Sequence, residues 1–318
     1  MTEHQTSVDL PLDHHDHVDR RGFLKCMAWA GTAVVWTVSG GTLTSCEANA
    51  QSSSAPKTRD LSFVQISDSH IGFKGPANQD VTATFQLAID QINALKNRPS
   101  FVMHTGDLSH LAEAGEFDTV KQMMGTVRTG RQFYVPGEHD QIEGNLRDYG
   151  KLFGHGTVGR GWYSYDVNGV HFLALVNASS TDAMGHLGQD QLDWIRKDVA
   201  GLSSETPIVV FAHVPLFAMY PKWGWSTDDA VKALSYLRRF GSVSVLNGHV
   251  HQVMTKVEGK VTFHVARATA YPQAAPGTAP GPGPLTVPSN ELHQSLGIMT
   301  AQWTAHDSHL AIVDETLK

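Results

Sequence analysis

From residue 61 onward, short apolar runs alternate with apolar residues at helical spacing. Leu61-Ser-Phe-Val-Gln-Ile66 reads as a strand, and Phe85, Ile89 and Ile92 predict a helix over about 80–97. Phe101-Val-Met103 is a second strand, followed by a helix near 115–127 and the strand Gln132-Phe-Tyr-Val135. Residues 162–176 predict a hairpin turning at Asn168-Gly169. Leu192, Ile195, Val199 and Leu202 mark another helix, and Pro207 to Ala212 a buried strand. Ser226 or Thr227 is expected to cap a helix that ends at Phe240 and stops at Gly241, before a strand over 242–246. The remainder is β-rich, with strands over 253–257, 260–266, 297–304 and 308–314 and a Pro/Gly-rich loop at 272–290. There is no internal repeat. The alternation predicts an α/β domain with sheets inside and helices outside.

Before residue 60 the pattern changes. Asp19-Arg-Arg-Gly-Phe-Leu-Lys25 precedes a modestly apolar run from Cys26 to Thr44 and resembles a bacterial twin-arginine export signal. The alternative is a short membrane anchor, for which a run so rich in Gly, Ser and Thr is marginal against the about 20 apolar residues a bilayer needs. Leu43-Thr-Ser-Cys46 resembles a lipobox, which would place a lipid anchor on Cys46, whereas Ala48-Asn-Ala50 fits a small-residue cleavage site. Residues 1–50 therefore read as signal and processing region, 51–59 as a Ser/Pro linker, and 60–318 as the folded domain. The resemblance implies passage through the twin-arginine translocase, which moves folded proteins, and a periplasmic or cell-envelope location. His4, His14, His15 and His17 fall in the leader.

Composition narrows the picture slightly. The chain has 318 residues, 41% hydrophobic and 17% charged, which suits one domain plus a tail. A net charge of −7 offers no basic field to hold a nucleic-acid polymer. The two cysteines, Cys26 and Cys46, both lie in the leader, so disulfides do not organise the fold. The oligomeric state is not encoded in any of these features.

The chemistry sits where buried strands end. Ile66 is followed by Ser-Asp68-Ser-His70, Met103 by His-Thr-Gly-Asp107, and Val135 by Pro-Gly-Glu138-His139-Asp140. Phe211 is followed by Ala-His213-Val-Pro215, and Leu246 by Asn-Gly-His249-Val-His251. A single histidine after a strand is commonly a packed or capping group. Five successive endings in Asp, Glu or His would place their side chains on one rim, as a two-metal site requires.

In that order, D-x-H, G-D, G-x-H-D, H-x-P and G-H-x-H resemble the signature of the calcineurin-like metallophosphoesterases over roughly 61–255. Within that family it resembles the branch of class III cyclic nucleotide phosphodiesterases and bacterial glycerophosphodiesterases, and more distantly the purple acid phosphatases. The resemblance implies a four-layer αββα sandwich of two mixed sheets with a binuclear metal site at one edge. It implies one metal on Asp68, His70 and His251, a second on His213, His249 and residue 138, and Asp107 bridging them. The two ions, about 3.5–4 Å apart, would be divalent or of mixed valence, from among Fe, Mn, Zn and Co. A hydroxide held between them would attack phosphorus, with His139 protonating the leaving oxygen. Asp140 is expected either to orient His139 or to be a solvated turn residue.

Position 138 departs from the family, which has asparagine there. Glu138 either ligates the second metal, adding an anion, or swings away. His110, three past Asp107, is expected either to touch phosphate or to lie on the surface, and the Trp223-Gly-Trp225 loop is the other candidate for selecting the substrate. That loop either stacks on a substrate ring or packs beneath the following helix. Asn177 is expected near the rim, and His104 and His264 inside the packing. The function expected is an exported phosphoesterase acting on small phosphate mono- or diesters. The alternatives are a cyclic nucleotide phosphodiesterase and a metal-binding envelope protein without turnover.

Overall fold

The computed structural model describes residues 34–39, 42–47, 60–142, 144–178, 184–304 and 310–318. The chain divides into two units, Met1–Ala55 and Pro56–Lys318. In the first, strands β1 (Val34–Ser39) and β2 (Thr42–Glu47) form an antiparallel pair. Arg20-Arg21 and Ala48–Ala50 lie outside the described residues. No helix among the described residues is long and apolar enough to cross a membrane.

The second unit runs β3 (Leu61–Ile66), α1 (Val81–Asn93), β4 (Val102–His104), α2 (Ala114–Met124), β5 (Gln132–Tyr134) and α3 (Arg147–Phe153). It continues with β6 (Tyr163–Val167), β7 (Val170–Ala174), α4 (Gln189–Val199), β8 (Ile208–Phe211), α5 (Ala230–Leu237) and β9 (Val243–Asn247). It ends with β10 (Met254–Glu258), β11 (Val261–Val265), α6 (Leu292–Ser295), β12 (Gly297–Trp303) and β13 (Ala311–Thr316). Two mixed sheets result, one ordered β13-β12-β3-β4-β5 and the other β10-β11-β9-β8-β7-β6. In the first, β3, β4 and β5 are parallel; in the second, β7, β8, β9 and β11 are.

The period of two along each strand builds the layers. Phe63 faces the space between the sheets, where it stacks on Phe101 at 4.8 Å and meets Phe172 and Phe211 edge-on at 5.8 Å. Its neighbours Val64 and Ile66 face the other way, onto Phe85 and Ile89 of α1 and Phe117 and Val120 of α2. Leu173, Val210 and Val245 do the same for α4 and α5. The expected αββα arrangement is thus observed.

Several boundaries differ from the sequence reading. The first helix stops at Asn93 rather than 97, and the Asn93 side chain is tied to the backbone of Thr126 and Arg128. The α5 helix spans Ala230–Leu237, with Asp229 at its start instead of Ser226 or Thr227. The Thr227 hydroxyl is occupied elsewhere, donating to the Pro215 carbonyl and accepting from Asn177. Helix α3 had no clear sequence signal, because Gly150 within it lowers helix propensity; Tyr149 and Phe153 hold it against Phe117.

His171 on β7 clamps three elements. Its ring nitrogens lie 2.9 Å from Asp166 on β6 and 2.8 Å from Asp198 on α4. Burial opposes the charged ring, but the hydrogen bonds to Asp198 and Asp166 outweigh it and raise the pKa above the usual 6.5. A raised folded-state pKa contributes stability that is complete below pH 6.5 and lost as pH climbs through the folded value. The melting-temperature gap between wild type and His171→Gln should therefore be widest in mild acid and narrow as pH rises past 6.5; a gap independent of pH would refute the clamp.

Candidate metal centre

Five loops leave the C-terminal ends of parallel strands, three from β3, β4 and β5 and two from β8 and β9, so both sheets feed one edge of the sandwich. Beneath them, the Gln65 amide joins the sheets, donating to Thr105 Oγ1 (2.9 Å) and the Asn247 carbonyl (3.0 Å).

The side chains at that edge form two groups with a carboxylate between them. In the first, Asp68, His70 and His251 converge: the two histidine Nε2 atoms are 3.3 Å apart, and Asp68 Oδ1 is 3.2 Å from His251. In the second, Glu138 lies between two imidazoles, its Oε2 2.9 Å from His213 Nε2 and its Oε1 2.7 Å from His249 Nδ1. Asp107 Oδ2 sits 3.5 Å from His70 and 3.3 Å from His213, one residue from each group. Glu138 therefore points inward, into the cluster.

The rings are held from behind. The Nδ1–H of His213 donates to the Thr105 carbonyl (2.7 Å), and that of His251 to the Tyr271 carbonyl (2.6 Å). Each bond commits Nδ1 and leaves Nε2 facing the cluster. Burial, then His139 and His251, keep His70 well below the usual imidazole value, so its ring is neutral.

The donor set fits metal ions. Glu138 Oε2, His213 Nε2 and both nitrogens of His249 are buried without a properly directed hydrogen bond, although Glu138 lies 2.9 Å from His213 Nε2 and 2.7 Å from His249 Nδ1. One donor atom from each of Glu138, His213 and His249 lies within 4.8 Å of the others, close enough to share one ion. Oxygen and imidazole donors suit Fe, Mn, Zn and Co.

The backbone is bent to achieve this. Asp68, His70, Asp107, His249 and His251 have φ of 53, 40, 51, 71 and 58°, and they are five of the seven non-glycine residues in the left-handed region among the described residues. Such conformations cost on the order of 1–3 kcal/mol each and collect at functional sites. Side-chain bonds compensate: the His249 N–H donates to Asp68 (3.1 Å) and the His139 N–H to Asp107 (2.9 Å). A Cβ on Gly137 would overlap the Asp107 carboxylate, and one on Gly248 the Ser67 hydroxyl, so both must be glycine.

Other expected residues are placed differently. The His139 ring is within reach of Asp107 and Glu138, but its Nδ1–H donates to the His110 carbonyl (2.8 Å), not to Asp140. The Asp140 carboxylate is buried and accepts from the N–H groups of Leu108 (3.1 Å), Ser109 (2.9 Å) and Gly137 (2.9 Å). It braces the second loop against the third and is neither a solvated turn residue nor a partner of the His139 ring. Burial and then Asp107 push it up to about 7, against the pull of those three N–H groups. His110 is half-buried, stacks on His139 at 5.0 Å and reaches His70.

Trp225 is fully buried under Val250 and Val265, so it supports the His249–His251 loop and cannot stack on a substrate. It packs beneath that loop rather than beneath α5. Trp223 is half-buried, edge-on to Trp225 at 5.0 Å. Asn177 is buried and holds the His213 loop through both the N–H and the carbonyl of Val214. His104 and His264 are packed, the first against Ser69 and the second against Thr255 and Asp314.

Sequence reasoning missed Tyr271. It follows β11, which lies parallel to β9 and so ends at the same edge. The signal was available as a sixth strand end, but it carries no carboxylate or imidazole.

Comparisons with known proteins agree with this fold. The chain is 24% identical over 268 residues to the glycerophosphodiester phosphodiesterase GpdQ of Enterobacter lignolyticus, covering 78% of this chain and 91% of that one. It is 23% identical over 218 residues to a probable cyclic nucleotide phosphodiesterase of Rhodococcus erythropolis, covering 66% and 71%. The fold matches a dimetal phosphatase from Danio rerio with a TM-score of 0.56 at 13% identity, over 81% of this chain and 99% of that one. A purple acid phosphatase from yellow lupin gives a TM-score of 0.57 at 13% identity, over 82% and 52%. Residues 61–253 match the family profile that spans all five loops, and the chain belongs to the calcineurin-like phosphoesterase family.

Proposed function

We propose that this protein is an exported, metal-dependent phosphoesterase of small phosphate esters that favours diesters over monoesters. The observation that carries the reading is the pair of three-residue groups sharing Asp107. Asp68, His70 and His251 would hold one ion, Glu138, His213 and His249 a second, and Asp107 both. Bound there, the ions supply Lewis acidity and bring the pKa of water toward neutral.

The chain's own residues supply the rest. Thr105 and Tyr271 fix the His213 and His251 rings through their carbonyls, so the site is organised before substrate arrives. His139, anchored on the His110 carbonyl, presents its other nitrogen to the cluster and delivers a proton to the leaving oxygen. Glu138 adds a third carboxylate to Asp68 and Asp107. That added negative charge disfavours a phosphomonoester dianion more than a diester monoanion. The relatives from Enterobacter and Rhodococcus, both named as phosphodiesterases, support the diester preference. The Rhodococcus relative also favours a cyclic nucleotide as the second reading of the substrate. The paired arginines Arg20-Arg21 support export through the twin-arginine translocase to the periplasm or envelope, with Cys46 as a lipid anchor or Ala50 as the cleavage point.

Purified protein should hydrolyse bis(p-nitrophenyl) phosphate faster than p-nitrophenyl phosphate, and a chelator should abolish both rates. Hydrolysis of neither ester, or hydrolysis indifferent to chelator, would sink the reading. Glu138→Asn keeps a ligand oxygen and removes the charge. It should weaken binding of one of the two metals by about tenfold, measured by metal titration, and raise the monoester-to-diester rate ratio. Unchanged affinity and ratio would exclude Glu138 as a ligand. Replacing Arg20 and Arg21 by lysine should trap the protein in the cytoplasm of a bacterial host, as read by cell fractionation; normal export would remove the twin-arginine assignment.

A further inference from the structure

Glu116 is a buried carboxylate outside the five motif loops. It is 8% exposed, and its Oε2 accepts from the backbone N–H groups of His110 (3.2 Å), Leu111 (2.8 Å) and Glu113 (3.4 Å). Those three donors bracket Ala112, which has a left-handed φ of 56°. Leu111 and Glu113 are exposed, so the segment has little packing of its own. Backbone of that kind persists only under a constraint from its surroundings. The Glu116 carboxylate supplies one from the first turn of α2, pressed so close to Gly72 that a Cβ there would overlap it.

The same segment holds the proton donor. The His139 Nδ1–H donates to the His110 carbonyl (2.8 Å), and the two rings stack at 5.0 Å and 14°. The His110 carbonyl and the Leu111 N–H belong to one planar peptide group. One edge of that peptide donates to Glu116 and the opposite edge accepts from His139, at 2.8 Å in each case. The His110 N–H is shared with the Ile71 carbonyl (2.9 Å), which fixes the near end of the segment but not the plane of the next peptide. We propose that Glu116 is a positioning residue for His139. Its carboxylate orients the His110–Leu111 peptide, and that peptide orients the imidazole so that its other nitrogen faces the leaving oxygen. The proposal rests on the phosphoesterase reading above and adds to it a residue that touches neither metal nor substrate. A donor turned away from the leaving oxygen loses its advantage even when the metal site is intact.

Glu116→Ala removes the acceptor, whereas Glu116→Gln keeps one oxygen for the Leu111 N–H. With metals loaded, kcat for diphenyl phosphate, whose phenolate needs a proton to leave, should fall about tenfold or more in Glu116→Ala. For bis(p-nitrophenyl) phosphate, whose p-nitrophenolate leaves unprotonated, it should fall about twofold at most. Metal content and both KM values should match wild type, and Glu116→Gln should restore most of the lost rate. A second readout needs no turnover. The His139 Nδ1 proton, identified in nitrogen-edited NMR spectra by its absence from His139→Ala, should exchange slowly in wild type and Glu116→Gln and rapidly in Glu116→Ala. An equal loss on the two esters, a loss that follows metal content, or an unchanged kcat would overturn the proposal. So would a His139 proton that already exchanges rapidly in wild type or is indifferent to Glu116. If wild type hydrolyses neither ester, the phosphoesterase reading fails, and the exchange of that proton still decides whether Glu116 positions His139.

Discussion

Everything at the working edge of this protein answers to one cost, the burial of three carboxylates. Asp68, Asp107 and Glu138 are 0, 1 and 8% exposed, and among the described residues none pairs with a lysine or arginine. A buried anion without compensation is among the most expensive things a fold can hold. The neighbours provided are imidazoles: His213 beside Asp107 and Glu138, His249 beside Glu138, His251 beside Asp68. His213 shows the strain of that arrangement. Burial alone would lower its pKa, but Asp107 and Glu138 drive it well above the usual value. Cations would relieve the same charge and free the imidazole lone pairs to bind them.

Holding these groups together shapes the scaffold around them. Five of the cluster residues occupy left-handed backbone, and further side chains around them fix the loops. Asp140 gathers three N–H groups from the second and third loops. Asn177 and Thr227 secure the fourth. Trp225 fills the space beneath the fifth, and Tyr271 closes its far side. Between the sheets, Gln65 keeps the two strand sets in step. The strain is local and the compensation is distributed, which is why the site needs the whole sandwich rather than a single motif.

The reach of Glu138 gives this centre its individual character. A carboxylate can touch two imidazoles at once, and Glu138 does so with one oxygen on each. A side-chain amide has a single acceptor oxygen and no charge. The difference is one unit of negative charge beside the place where a phosphate must bind, which matters most for substrates that are themselves doubly charged.

The amino-acid sequence alone determined the alternation of strands and helices, the layered α/β class and the five acidic or histidine-bearing strand ends, the third of them carrying Glu138. These are local properties, written in periods of two and 3.6 residues and in the residues that follow each strand. Tertiary structure decided who touches whom. Asp140 lies next to His139 in the chain, yet its carboxylate serves the backbone of Leu108 and Ser109, about thirty residues away. Trp225 looked like a candidate for an exposed stacking surface and is instead sealed under Val250 and Val265. Tyr271 carries no metal-binding group and was invisible until β11 placed it beside His70, about two hundred residues earlier. Burial and the direction of a side chain follow from how separate strands pack side by side, and no local period encodes that.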